Sequence, residues 1–401
     1  MSTIRHITLP GGFVAAGVKC GIKVSGKEDL AIIASGADAA AAVVTTRNQV
    51  VGAPVQWIRK ILPKGYGVAR GIVINSGCAN VCNGPSGLKD ARAMAAETAK
   101  RLGTTAGKVL VASTGIIGHR LPMNNIRAGI AAAASQLGTG HDRAALRAIM
   151  TTDTMEKTSV APVRIGGKSV TIAGIVKGAG MIAPSLATMI GVITTDAAIA
   201  PAALHKALVA AAGVSFNAIT VDSDTSTSDT VALFASGAAG NKTIAAGSPA
   251  FARFAEALTT VCKELARAVV ADGEGATKVI EITVTGARND AEAEIAAKSV
   301  ANSPLLKCAV HGGDPNWGRI ACALGKSAAK VDPRKLTISI GGVTVFARGA
   351  GRKFDLKKVE SHLCGKDVKI ACCLGLGKGR FTALTCDLSR EYIAINADYH
   401  T

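Results

Sequence analysis

The segment from Lys177 to Ala197, KGAGMIAPSLATMIGVITTDA, joins a lysine, a short glycine-rich turn, a proline and a threonine that opens an apolar run. A threonine hydroxyl is a weak nucleophile unless a base stands beside it. For threonine that base is commonly its own α-amine, freed by cleavage of the preceding peptide bond. An α-amine has a pKa of about 7.7–8.0, well below that of lysine, so much of it is available as a base near neutral pH. Thr188 is the residue placed for this chemistry, and the small side chain of Ala187 leaves the bond before it open to attack. On local grounds the same residues also fit a glycine loop entering a core strand, with Thr188 as one more β-branched strand residue. Thr114-Gly115, at the end of the apolar run KVLVAS, reads locally as a strand-to-turn exit.

Such residues need rigid elements to aim them. GIVIN (Gly71–Asn75) and KVLVAST (Lys108–Thr114) are apolar runs bounded by turn residues and read as buried strands. Between them, Ser86 to Leu102 has Ala91, Met94, Ala95, Thr98 and Leu102 at helical spacing. VRIGGKSVTIAGIV (Val163–Val176) reads as a hairpin around Gly166-Gly167. Thr188–Ala197 reads as a strand, followed by a helix starting near Pro201. Further on, the pattern predicts helices over Pro249–Ala271 and Asp290–Val300. Strands are predicted over Lys278–Ala287, Leu336–Ile340, Val343–Ala347, Val368–Ala371 and Tyr392–Asn396. The mixture lacks the regular βαβ alternation of a Rossmann sheet, and no repeat of 20–50 residues is present.

Composition narrows the classes. The 401 residues are 48% hydrophobic but only 3% aromatic, with 45 glycines, so the core is built from Ala, Val, Ile and Leu. A formal net charge of +18 suits anionic partners in general. Single-strand nucleic-acid binding usually adds aromatic stacking platforms, and three Tyr and two Trp leave little for that, so no nucleic-acid partner is expected. None of the ten cysteines forms a C-x-x-C pair, and most sit in apolar runs, which fits a reducing compartment. The N-terminal MSTIRHITLPGGF has no apolar signal core, and the uncharged run Gly178 to Thr195 is broken by Gly, Pro and Ser. The expectation is a cytoplasmic protein without a membrane span.

Seven boxes then occur in order: INSGCANVCNG (Ile74–Gly84), STGIIG (Ser113–Gly118), TTDT (Thr151–Thr154), KGAGMIAPSLATM (Lys177–Met189), DGEGATK (Asp272–Lys278), GGDPNWGRI (Gly312–Ile320) and INADYHT (Ile395–Thr401). In these the chain resembles the bifunctional ornithine acetyltransferase/glutamate N-acetyltransferase family of arginine biosynthesis, over essentially its whole length. Leu186 stands in place of the family's usual Met, Ser185 where Asn is frequent, and SDTSTSD (Ser223–Asp229) where GDTSTND is common, so that Ser228 replaces an Asn.

The resemblance implies an α/β fold with the layered mixed β-sheet architecture of that family, rather than a classical Ntn hydrolase. It implies self-cleavage between Ala187 and Thr188 into an α chain, 1–187, and a β chain, 188–401, assembled as an α2β2 heterotetramer. Thr188 becomes the nucleophile, and Thr114 and Gly115 the oxyanion-hole pair. Thr154, Lys177, Thr188, Glu274, Asn396 and Thr401 become substrate-binding positions. Their types suit amino-acid ligands, since Lys177 can pair with a carboxylate and Glu274 with an ammonium. The implied reaction moves acetyl from N2-acetyl-L-ornithine to L-glutamate with no metal or organic cofactor. Whether acetyl-CoA also serves as a donor is left open. Two other readings predict different observations: a self-processed Thr-nucleophile amidohydrolase or aminopeptidase, which gives the acyl group to water, and an anion- or nucleic-acid-binding protein, which is never cut.

Overall fold

A strand buried on both faces alternates its side chains between two cores, and the runs of Ile, Val and Ala in this chain do so. Ile172, Val176, Ile193, Val231 and Leu233 point into one core, shared with the helices Pro201–Gly213 and Pro249–Ala271. Ile175, Ile190, Val192, Ala232 and Phe234 point into another, shared with the helix Asp142–Ile149. The structure, a computed structural model, describes residues 6–183 and 189–398.

The sheet between these cores has eight strands. Its order is Val109–Ile116, Tyr66–Cys78, Leu30–Thr45, Thr230–Ala235, Ile190–Thr195, Lys168–Lys177 and Lys157–Ile165, with Phe13–Val18 paired to Leu30–Thr45. Two neighbouring pairs are parallel and the rest antiparallel, so the sheet is mixed. The strands Ile190–Thr195 and Thr230–Ala235 lie inside it, flanked on both sides by strands from earlier in the chain.

A second, six-stranded sheet runs Ala350–Gly351, Val343–Ala347, Thr337–Ile340, Asp367–Cys373, Val279–Ala287 and Gly379–Cys386. One face carries Ile280, Ile282, Val284, Val368 and Ile370 into a core with the helices Asp290–Ala301 and Trp317–Gly325. The other face carries Asp367, Lys369 and Cys373 to the surface. Trp317, from the GGDPNWGRI box, packs on Phe346 in this core with ring centroids 5.2 Å apart.

The chain adopts the expected α/β class with layered mixed sheets, and most of the expected elements form. The hairpin turns at Gly166-Gly167, where both glycines hold positive φ. The helix over Pro249–Ala271 starts at Ser248, whose hydroxyl caps the Phe251 amide, with Pro249 in the first turn. Tyr392–Asn396 is a correction: it lies within a helix, Arg390–Asp398. Tyr392, Ile393 and Ile395 have high β propensity, but that depends on sheet context, and this backbone is not taken up by the second sheet, whose edge strand is Gly379–Cys386. The start of this helix sits on Gly275, where a Cβ would lie 2.5 Å from the Tyr392 nitrogen. The cysteines are all free, and only Cys78, Cys262, Cys372 and Cys386 are buried as core residues. Among the described residues no helix is long and apolar enough to cross a membrane.

Candidate active site

Two strand ends from opposite parts of the first sheet meet across a cleft. The strand Lys168–Lys177 pairs antiparallel with Ile190–Thr195, with Lys177 opposite Ile190. The connection between them carries Ala187 and Thr188, which, like Thr401, lie outside the described residues. The strand Val109–Ile116 ends at Thr114 and Gly115, level with Ser76 and Gly77 of its parallel neighbour. Gly115 holds φ +124, and a Cβ there would stand 2.4 Å from the Gly77 carbonyl carbon. Gly115→Ala is therefore expected to push the two strands apart and cost about 1–3 kcal/mol. An unchanged thermal midpoint would show that the strand end yields freely.

The cleft has a volume of about 130 Å³ and is lined by Thr114, Gly115, Lys177, Glu274 and Asn396, five of the positions singled out by sequence. Glu274 follows the long helix Pro249–Ala271, and its backbone amide donates to the Ala179 carbonyl at 2.9 Å. Gly180 makes room for it: a Cβ at that position would lie 2.4 Å from the Glu274 carboxylate. Asn396 Nδ2 donates to Glu274 Oε2 and to the Tyr392 carbonyl, both at 2.9 Å. The helix turn thus aims the Asn396 amide at the carboxylate. Thr154 stands outside this lining, with its amide and hydroxyl donating to Asp272. Its neighbours Thr151 and Thr152 line the cleft instead, as do Ser226, Thr227 and Ser228.

Lys177 is 2% exposed, and its ammonium donates to Thr114 Oγ1 at 3.5 Å. Behind it runs a buried chain of alternating charge that sequence reading missed. Asp153 Oδ2 lies 3.9 Å from Lys177 Nζ and accepts the Thr151 amide at 2.9 Å. Asp153 Oδ1 accepts Lys157 Nζ and the Gly178 amide, both at 2.6 Å. Lys157 also bonds Asp272. Burial opposes ionisation of Asp153, but the charges of Lys177 and Lys157 and the hydrogen bonds from Lys157 and the Gly178 amide outweigh it and hold the carboxyl down at about 2. Burial lowers the Lys177 pKa, partly offset by Asp153. Asp153 and Asp272 stood inside the TTDT and DGEGATK boxes. The only local signal joining them to Lys157 was the four-residue spacing from Asp153. Among the described residues no three His, Cys, Asp or Glu side chains form a metal-ligating group.

The ArgJ family model matches residues 14–401. The arginine biosynthesis bifunctional protein ArgJ of Dehalococcoides mccartyi is 45% identical over 98% of this chain and 97% of that protein. Its counterpart from Bacillus licheniformis is 43% identical over 100% of this chain and 97% of that protein. A solved structure of the arginine biosynthesis bifunctional protein ArgJ from Bacillus halodurans is 43% identical with a TM-score of 0.50. It covers 51% of this chain and 97% of that one.

Proposed function

This chain belongs to the ArgJ family, and we propose that it is an acetyltransferase of arginine biosynthesis that moves acetyl from N2-acetyl-L-ornithine to L-glutamate through an ester on Thr188. The observation that carries this reading is the convergence of Thr114, Gly115, Lys177, Glu274 and Asn396 on one cleft, beside the strand pair whose connection holds Thr188. The chain first cuts itself between Ala187 and Thr188, which frees the α-amine of Thr188. That amine takes the hydroxyl proton as the hydroxyl attacks the acetyl carbonyl. Thr114 and Gly115 face the oxygen that becomes negative. Lys177 donates to Thr114 Oγ1, which leaves the Thr114 proton to donate into the cleft. Ornithine departs, and the amine of glutamate attacks the ester to leave as N-acetyl-L-glutamate. Lys177 offers a charge for substrate carboxylate, and Glu274 with Asn396 offers acceptors for substrate ammonium.

The sheet order supports a cut chain that stays together. Strands on either side of the cut interleave in one eight-stranded sheet, so the fragments share its hydrogen bonds and two of the cores packed against it. A solved relative that covers half of this chain, where whole relatives match end to end, is the length relation a cut near the middle produces. The proposal includes association of the fragments as α2β2.

The test is product analysis of the purified protein. With N2-acetyl-L-ornithine and L-glutamate it should yield ornithine and N-acetylglutamate. With the donor alone it should hold one acetyl group on the fragment that begins at Thr188. Release of free acetate at a rate indifferent to glutamate would replace transfer with hydrolysis. Repeating the assay with acetyl-CoA as donor decides whether one donor or two are used.

A further inference from the structure

The SDTSTSD stretch takes no part in the chemistry above, yet it and the residue before it touch both sides of the connection that carries Thr188. On the upstream side, Asp222 Oδ2 accepts the Met181 amide at 2.6 Å and Asp222 Oδ1 accepts the Ile182 amide at 2.9 Å. The Ile182 carbonyl is held in turn by the Val221 amide at 2.7 Å and the Thr220 hydroxyl at 3.0 Å. On the downstream side, Asp229 Oδ1 accepts the Met189 amide at 3.1 Å, and the Met189 carbonyl accepts the Thr230 amide at 3.1 Å. Met181, bonded to Asp222, and Ser223, next to Asp222 in sequence, both hold left-handed backbone, with φ 56 and φ 72. L-residues adopt that conformation only where the surroundings impose it, and such residues gather at functional sites.

We propose that Asp222 and Asp229 are positioning residues that clamp the two ends of the processing connection, Asp222 through Met181 and Ile182 and Asp229 through Met189, so that the bond before Thr188 is held for cleavage. The inference rests on the reading of Thr188 given above. The clamp explains why one short stretch supplies both anchors: eight residues of one loop hold the two ends of the connection, and the hydrogen bonds within it tie the anchors together. It also keeps the upstream end in place once the bond is cut, because Asp222 lies in the fragment after the cut and Met181 in the fragment before it.

The two aspartates differ in how many oxygens they use, and this gives the test. Asp222 employs both, and Oδ1 also takes the Asp224 amide at 3.2 Å. Asparagine at 222 must turn a donor toward one of those amides. Asp229 employs Oδ1, and its other oxygen has no partner among the described residues. Burial pushes both carboxyls up, that of Asp229 well above the usual carboxylate range, so the contrast between the two rests on how many amides each holds. Conversion of full-length chain to fragments is followed on denaturing gels after a pulse of cell-free synthesis. Rates are normalised to the folded fraction by circular dichroism. Asp222→Asn and Asp229→Ala should cut about 10- to 100-fold more slowly than wild type, the scale of a misplacement of about 1 Å at a reacting centre. Asp229→Asn should restore the rate to within about threefold of wild type. A purely structural role would lower the thermal midpoint of these variants and leave the normalised rate alone. Should Asp229→Ala aggregate, the contrast between the two asparagine variants decides, and equal rates overturn the clamp. Wild-type protein that is cut while Asp222→Asn is cut as fast removes the clamp alone. Wild-type protein that stays whole removes the reading of Thr188 itself.

Discussion

Thr188→Ala is expected to remain one chain on a denaturing gel and to transfer no acetyl group above background. Alanine has no hydroxyl to attack the Ala187 carbonyl, and no oxygen on which an acetyl ester can form. Removing the nucleophile from an enzyme of this kind costs on the order of 10⁶-fold in kcat, because the remaining groups stabilise a transition state that no longer has an attacking atom. Here the loss is compounded, since the uncut chain also lacks the free amine to which the proposed mechanism assigns the role of base. Thr188→Ser keeps a hydroxyl at the same atom and should still be cut. N-terminal sequencing of the second wild-type fragment should begin at Thr188. On a sizing column the two wild-type fragments should elute together, as their interleaved strands require. An uncut wild-type chain that nevertheless moves acetyl groups at full rate would end this account of the chemistry.

Asp153→Asn should have the second largest effect, on stability and on substrate binding together. The side chain is 0% exposed and takes four partners: Lys157, Lys177 and the amides of Thr151 and Gly178. The variant leaves two buried lysines with Asp272 as the remaining buried anion in the chain. Removing one member of a buried ion pair commonly costs about 3–5 kcal/mol, because the other charge stays desolvated and unpaired. The midpoint of urea unfolding should fall accordingly.

The pH dependence identifies the cause. Asp153 in the folded protein titrates at about 2, below its ordinary 3.8. Its contribution is therefore fully present above the unfolded value and is lost as pH falls through the folded one. The stability gap between wild type and Asp153→Asn should narrow as pH drops from about 4 toward 2. A gap that holds constant over that range would assign the effect to packing. Lys177 also loses the largest of the charges that offset its burial, leaving Glu274 and Asp229 to do so. The Lys177 ammonium loses the buried anion that faces it from behind the cleft, and KM for the carboxylate-bearing substrates should rise more than kcat falls.

Local periodicity was enough for much of the scaffold. The helix Pro249–Ala271 is legible from its residue pattern, and the structure closes its start locally with the Ser248 hydroxyl on the Phe251 amide. The hairpin at Gly166-Gly167 is legible through two adjacent residues that accept positive φ. In both, the stabilising contacts lie within a few residues, where a sequence window sees them. The helix Arg390–Asp398 was misread as a strand because its placement depends on Gly275, more than a hundred residues earlier, and not on its own alternation. The boxes single out Lys177, Glu274 and Asn396 as separate candidates. Nothing in their spacing tied them to a common cleft.

By itself the sequence determined the residue types the chemistry needs, the membership of the family, and those elements whose hydrogen bonds close locally. Only the tertiary structure decided that Asp153, Lys157, Asp272 and Lys177 form one buried chain of charge. It alone set Asp222 and Asp229 on either side of the connection to Thr188, and interleaved strands from before and after that connection in a single sheet. The physical reason is that a buried charge or a sheet neighbour takes its partner from the order of strands across the fold. That order is settled by which apolar faces can be covered together, and no single stretch of the chain encodes it.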